Sequence, residues 1–222
     1  MSDARFRTLA RLAAARYPRG DLFARKFAFG KLTGDPAFAH LLAHDLIPPQ
    51  ARLLDLGCGQ GVLAALLAAA GRDDQRYTGV DLMARDIERA RHACPDAQFV
   101  AGDIRTTGFG PADVVVILDV LHYVDYEAQA DVLRRVRAAL AGGGVLLLRV
   151  ADASPGLRFR FTVAVDRLVM RLRGHRLARL YCKPLATWTQ ELAALGFTVE
   201  PRPMSAGTPF ANVLLVARYH AP

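Results

Sequence analysis

Leu53-Leu54-Asp55-Leu56-Gly57-Cys58-Gly59-Gln60-Gly61 reads as a buried strand that runs without slack into a glycine-rich turn. Arg52 to Leu56 is an apolar run broken by one carboxylate, and Val62 to Ala70 is an uninterrupted set of strong helix formers closed by Gly71. Glycines at 57, 59 and 61 let the backbone adopt positive φ and leave no Cβ between the loop and a ligand. A flat, polar molecule can then lie against the main chain. The same spacing also serves ordinary strand-to-helix connections, so the choice rests on the residues around it.

Two features separate this turn from a dinucleotide site. In that fingerprint a third glycine follows three residues after the second, for close helix–strand packing, and Val62 stands at that position here. Asp55 also lies two residues before the first glycine, where a pyrophosphate would meet unwanted negative charge. A cationic ligand would favour it.

More acids follow at matching places. Arg76 to Leu82 reads as a second strand delivering Asp81, and a carboxylate there can accept both hydroxyls of a ribose. Ala97 to Ile104 reads as a third strand ending in Gly102-Asp103-Ile104, and Ala112 to Leu121 as a fourth that reaches Asp119. Each of these aspartates alone could be a solvated loop residue or a helix cap. On successive strand ends of an open α/β sheet they converge on one crevice.

With these motifs the chain resembles the class I S-adenosylmethionine-dependent methyltransferases over about Ala51 to Val150. Leu53 to Gly61 corresponds to the family's glycine motif, Val80-Asp81 to its ribose motif and Gly102-Asp103-Ile104 to its adenine motif. Asp113 to Asp125 resembles the segment that passes under the methionine end of the cofactor and borders the substrate. The resemblance implies S-adenosyl-L-methionine as cofactor. It implies that Asp55 helps hold the cofactor's amino end through the loop or water, and that Gly57 and Gly59 line the methionine portion. Cys58 between them needs only to be small. Asp81, with Leu82 beside it, would take the ribose, Asp103 the adenine amino group and Ile104 one face of the ring. Asp119 would border the methionine end.

The remaining chain agrees with an α/β, Rossmann-like architecture: a seven-stranded mixed sheet with helices on both faces, a helical cap and a terminal antiparallel hairpin. Asp125 to Leu140 is amphipathic, with Val132, Leu133, Val136 and Leu140 on one side, and Gly142-Gly143-Gly144 stops it. Val145 to Val150 is a fifth strand and Thr187 to Leu195 a helix closed by Gly196. Phe197 to Met204 and Asn212 to Tyr219 are the last strands. Ser205 to Ala211 is too short for a crossover helix, so these two should pair antiparallel.

At 222 residues, 52% hydrophobic and 23% charged, the chain fits a single methyltransferase domain with a sizeable core. Its expected parts are an N-terminal helical cap (1–50), the cofactor core (51–150), a basic cap insertion (151–186) and a C-terminal helix with hairpin (187–222). Cysteines 58, 94 and 182 lack Cys-x-x-Cys spacing, which favours a reducing, cytoplasmic setting over disulfides or zinc. Arginines at 5, 7, 11 and 16 break any signal-peptide core in Met1 to Gly20, which reads as an amphipathic helix. No apolar run reaches membrane-spanning length.

Charge is unevenly spread. Residues 1–34 hold eight Lys or Arg against Asp3 and Asp21, and residues 157–183 hold eight against Asp166. With a net charge of +8 for the whole chain, the rest is acidic. Leu157 to Arg173 places Leu157, Phe161, Val165, Leu168 and Leu172 at helical spacing, with Arg160, Arg167 and Arg171 on another face. Its first seven residues also alternate as a strand would. It is either a solvated amphipathic helix or a lid over an apolar substrate, its arginines meeting a phosphate, a carboxylate, an acidic carrier protein or an anionic membrane surface. The isoelectric point near 9.9 raises nucleic acid as a partner. However, Asp119-Val120-Leu121-His122 replaces a base-methylating Asn-Pro-Pro-Tyr-like motif, and no RNA-binding appendage follows. Phe27 to Pro36 is similar to the start of methyltransferases of aryl-polyene pigment biosynthesis, which implies a conjugated or acyl-carrier-bound acceptor in secondary metabolism.

A sulfonium methyl is already activated, so aiming the acceptor and excluding water supply most of the catalysis. A base is needed when the acceptor is a hydroxyl, or a ring carbon activated by a phenolate. His122, with Tyr123 beside it at the substrate edge, is the candidate; the other reading is that it packs near the cofactor. His40 and His44 have metal-compatible spacing but no third ligand nearby, so no metal site is expected. Tyr181, Lys183 and Trp188 either line the acceptor pocket or pack the cap. The competing classes are a nicotinamide-dependent reductase, a methylase of protein or nucleic acid, and a non-catalytic cofactor-binding or regulatory protein on the same fold.

Overall fold

A computed structural model describes residues 1–72, 74–140, 142–154, 156–172, 180–205 and 207–221, with the backbone alone for 166–172. The elements in chain order are α1 Asp3–Ala15, α2 Leu22–Gly34, α3 Pro36–Ala43, β1 Arg52–Leu56, α4 Val62–Ala69, β2 Arg76–Asp81, α5 Ala84–Ala93, β3 Gln98–Ala101 and β4 Val114–Leu118. A 3-10 turn at Leu121–Tyr123 follows, then α6 Tyr126–Ala139, β5 Gly144–Ala151, α7 Leu157–Leu172, α8 Leu185–Ala194, β6 Phe197–Pro203 and β7 Asn212–Tyr219. The strands form one seven-stranded sheet in the order β3-β2-β1-β4-β5-β7-β6. The chain divides into two compact units, Met1–Val115 and Val116–Pro222.

In the first unit β1 pairs parallel with β2, and β2 with β3. Parallel neighbours need crossover connections, which α4 and α5 provide. Apolar residues on every side of α4 predict a helix buried all round, and Val62 through Leu67 are all buried. Part of the cover comes from α1, which packs on α4 and buries Phe6, Ala10, Ala13 and Ala14. Short polar side chains start the N-terminal helices: Ser2 accepts from the Arg5 amide, Asp21 from Ala24 and Asp35 from Ala37, with Pro36 opening α3. The N-terminal segment is therefore helical, as its sequence predicts.

In the second unit β7 pairs antiparallel with both β5 and β6, which confirms the terminal hairpin. The edge strand β6 carries Pro201 and Pro203, residues that resist further strand pairing. Asp125 caps α6 by accepting from the Ala128 amide at 2.8 Å, and Val132, Leu133 and Val136 are buried as the periodicity predicts.

Several boundaries move inward from the sequence expectation. The third strand ends at Ala101 rather than Ile104, because Asp103 opens a turn whose backbone carbonyl accepts from the amides of Thr106 and Thr107. The fourth ends at Leu118 because Asp119 adopts φ of 59°, which no strand can continue. Residues 157–172 are helical, so the alternating pattern at their start does not make a strand. The buried position there is Thr162, whereas Leu157 and Phe161 are exposed, so the expected apolar stripe does not face inward at its start. The side chains of Leu168, Leu172, Arg167 and Arg171, and all of Arg173, lie outside the described residues.

Candidate functional site

The carboxyl ends of β1, β2 and β3 all lie in the first unit, and with them every expected cofactor residue but Asp119, which lies in the second. After β1 the chain turns through Gly57, Gly59 and Gly61 with φ of 80°, 54° and 76°. The amides of Gly57 and Cys58 both donate to the Val80 carbonyl, at 2.7 and 3.1 Å, tying the turn to the end of β2. The glycines do different work. A Cβ on Gly61 would come within 2.9 Å of the Ala90 Cβ and 3.2 Å of the Phe99 ring, so this glycine permits helix packing. A Cβ on Gly59 would meet nothing within 4 Å, so this glycine leaves an open cradle above the main chain.

Asp81 organises that cradle. One carboxylate oxygen accepts from the Gly59 amide at 2.8 Å and the other from the Met83 amide at 2.8 Å, joining the glycine turn to the start of α5. A carboxylate can accept from more than two donors, which suits it to vicinal hydroxyls as well. Leu82 beside it is 62% exposed, an apolar face left in solvent. Asp103 accepts from the Arg105 amide at 2.9 Å and from its guanidinium, and Ile104 is buried.

Asp55 is placed differently from a solvent-facing anchor. It is buried and accepts the Tyr77 hydroxyl. Burial raises its pKa to about 7, the Tyr77 hydrogen bond opposes the rise and the Asp81 charge adds to it. Cys58 is also buried and its thiol pKa is pushed well up by desolvation, the state of an inert packing residue.

Three contributors escape a motif reading. Tyr77 precedes the acidic strand end, and only the period-2 alternation of β2 would have pointed to it. Tyr17 donates its hydroxyl to the Gln60 carbonyl at 2.9 Å, while the Gln60 side chain donates to the Ala24 carbonyl at 2.8 Å. The third is Arg149 in the second unit. Its only sequence signal is a charge in the otherwise apolar Val145–Val150.

In the second unit Arg149 pairs with Asp119 in a two-pronged ion pair, Nε to Oδ1 at 2.8 Å and a terminal nitrogen to Oδ2. His122 follows on the 3-10 turn, 6% exposed, with its ring 4.1 Å from that of Tyr123. Burial lowers its pKa to about 4; Asp119 opposes the shift and Arg149 adds to it. The imidazole is therefore neutral near pH 7, and weaker than a base tuned to that pH. Gln129, fully buried, donates to the carbonyls of Leu121, Val124 and Tyr181, and the Tyr181 amide donates to the His122 carbonyl at 2.9 Å. The Tyr126 and Tyr181 rings meet edge to face at 5.3 Å.

Lys183 and Trp188 come together with Glu191. The Lys183 ammonium lies 2.7 Å from both Glu191 oxygens and 4.7 Å from the ring of Trp188, which is 1% exposed. That contact set is a packed ion pair against an indole. The His40 and His44 rings lie 4.1 Å apart and tilted by 36°, and among the described residues no group of three or more His, Cys, Asp or Glu is arranged to hold a metal ion. Among the same residues no helix is long and apolar enough to cross a membrane.

Comparison with known proteins bears on the family and the fold. Residues 23–201 match a family model described as a methyltransferase domain. A 107-residue stretch is 41% identical to the carboxy-S-adenosyl-L-methionine synthase of Chromohalobacter salexigens, covering 44% of this chain and 39% of that protein. Another, of 117 residues, is 33% identical to the trans-aconitate 2-methyltransferase of Paracidovorax citrulli, covering 50% and 43%. The chain thus spans about two fifths of the length of these curated relatives. Among solved structures, the magnesium protoporphyrin IX methyltransferase of Synechocystis PCC 6803 with bound SAH superposes with a TM-score of 0.62 at 20% identity, covering 93% of this chain and 92% of that one. That likeness is one of fold.

Proposed function

The chain belongs to the methyltransferase-domain family, and from that premise we propose that it transfers the methyl group of S-adenosyl-L-methionine to oxygen or carbon of a small apolar acceptor. The observation that carries this reading is the Asp81 carboxylate bound to the amides of Gly59 and Met83 beside the open Gly59 cradle. The residues fit the cofactor: glycine backbone for its methionine end, the Asp81 carboxylate with exposed Leu82 beside it at the ribose position, and Asp103 with buried Ile104 for the adenine. When bound, the cofactor supplies an electrophilic methyl on a positive sulfur. Asp55, close to half-protonated near pH 7, supplies negative charge for a cationic ligand at little cost in buried charge when none is present.

The protein's remaining task is to orient the acceptor and keep water out, which can supply about 7–11 kcal/mol. His122, neutral and buried, would accept a hydrogen bond from an acceptor hydroxyl or take its proton as the nucleophile forms, with Tyr123 beside it. A pKa near 4 favours an acceptor that arrives acidic or already activated. The rings of Tyr123, Tyr126 and Tyr181 in the second unit support an aromatic or conjugated acceptor, free or on an acyl carrier. The exposed basic side chains of the N-terminal helices are consistent with an acidic carrier or an anionic surface, and nucleic acid is not part of the proposal. The single family match over 23–201 supports reading the chain as one domain. Cys58, Cys94 and Cys182, none of them in a disulfide, support a cytoplasmic setting.

Calorimetric titration with S-adenosylhomocysteine, with NADH as control ligand, tests the proposal. Wild type should bind S-adenosylhomocysteine and not NADH, and Asp81→Ala should weaken binding by tenfold or more, about 1.4 kcal/mol. No binding to a folded wild type, or a preference for NADH, would overturn it.

A further inference from the structure

Arg149 is the one charged residue of β5, and its side chain is almost wholly withdrawn from water, at 1% exposed. A buried guanidinium is tolerated when its donors are matched, and here the fork is met by both oxygens of Asp119. The contact is doubled through the backbone, since the Asp119 amide donates to the Arg149 carbonyl at 3.3 Å. Asp119 itself adopts left-handed backbone, φ of 59°, one residue past the end of β4 and three before His122. That conformation is unfavourable for a residue with a Cβ, although aspartate tolerates it better than most. The ion pair and the strained turn hold each other in place, because the turn cannot relax without stranding the guanidinium.

The far side of the same loop is pinned separately. Gln129 holds the Leu121 and Val124 carbonyls at 2.9 and 3.1 Å, and the Tyr181 amide holds that of His122. The Arg149–Asp119 pair fixes the stretch where the chain leaves β4.

We propose, building on the methyl-transfer reading above, that Arg149 is a positioning residue: through Asp119 it locks the turn that sets where His122 and Tyr123 point. Arg149 need not touch cofactor or acceptor to do so. Lysine does not reproduce it, because an ammonium is a single point donor on a flexible stem and lacks the planar pair of nitrogens, Nε and a terminal one, that fixes the plane of the Asp119 carboxylate.

The test uses the full-length protein with histidines labelled for NMR, the His122 ring resonance being assigned by its loss in His122→Gln. Arg149→Met should fold and move the His122 resonance toward that of an exposed histidine. Arg149→Lys should keep the fold and still move the resonance, so it carries the test if the methionine variant fails to fold. The charged groups against His122 are Asp119 and Arg149, but burial is the main cause of its low pKa, so a ring that turns toward water should titrate nearer the ordinary histidine range in both variants, and Arg149→Met also removes a cation that lowers it. An unmoved His122 resonance in a folded Arg149 variant would overturn the proposal. Loss of S-adenosylhomocysteine binding in wild type would instead overturn the methyl-transfer reading, and the two failures are read from different samples.

Discussion

Tyr77 on β2 donates its hydroxyl to the buried carboxyl of Asp55 on the adjacent parallel strand β1. The β-strand period explains the meeting. Asp55 is level with Gly79, and Tyr77, two residues back, projects on the same side of the sheet. Gly79 leaves room for Cys58 and Phe99 beside the pair, since a Cβ there would come within 2.8 Å of the Cys58 sulfur and the Phe99 ring.

The pair gives stability an unusual pH dependence. Folded Asp55, with a pKa of about 7, holds a proton that the unfolded chain releases near pH 4, so its contribution falls as pH rises through that range. His122 acts in the opposite sense: the unfolded chain carries its proton up to about pH 6.5 and the folded chain only below about 4, so stability rises over that interval. Each gradient is at most about 1.4 kcal/mol per pH unit, and in wild type they largely cancel. Thermal melts between pH 4 and 6.5 should show Asp55→Asn gaining stability with pH more steeply than wild type, and His122→Gln losing it. Parallel curves for all three proteins would contradict both assignments.

A second prediction concerns the N-terminal helices. The Gln60 carbonyl receives the Tyr17 hydroxyl and the Gln60 side chain grips Ala24, so the glycine turn is bonded to the segment between α1 and α2. Tyr17→Phe strands a buried carbonyl and should cost about 1 kcal/mol. Hydrogen exchange should quicken over residues 3–34 while β1 and α4 keep their protection. Uniform loss of protection across the first unit would show that the bond does not act locally.

The division between what the sequence discloses and what it hides has a physical basis. Local signals are strong where one segment carries its own instruction: Gly57 to Gly61 force a turn, the apolar Val62–Ala69 forces a buried helix, and the short 205–211 connection forces a hairpin. Contacts set by the partner strand are invisible in either strand alone. Asp55 reads as an anchor for a ligand, yet its burial and its bond to Tyr77 follow from the β1–β2 register. Asp119 reads as one more acid on a strand end, yet its partner, Arg149, is thirty residues away. His122 reads as a base, and only its burial shows that it stays neutral far below pH 7. In the 157–172 helix the apolar spacing is correct for a helix but does not reveal that, among the described side chains, Thr162, which accepts from the Ala211 amide at 3.1 Å, is buried while Leu157 and Phe161 are exposed.

Gly59 and Gly61 separate the ligand site from the fold with two similar substitutions. Both residues hold positive φ, so alanine at either carries a backbone penalty of about 1–2 kcal/mol. At Gly61 the new methyl also strikes the Ala90 Cβ and the Phe99 ring, neither of which can swing away, adding about 1–3 kcal/mol of overpacking. Gly61→Ala should therefore melt well below Gly59→Ala. At Gly59 the methyl enters open space, and the only thing it can meet is a ligand lying on the loop. Gly59→Ala should stay folded with its S-adenosylhomocysteine affinity reduced at least tenfold, about 1.4 kcal/mol. A folded Gly59→Ala that binds as tightly as wild type would place the ligand elsewhere on the protein.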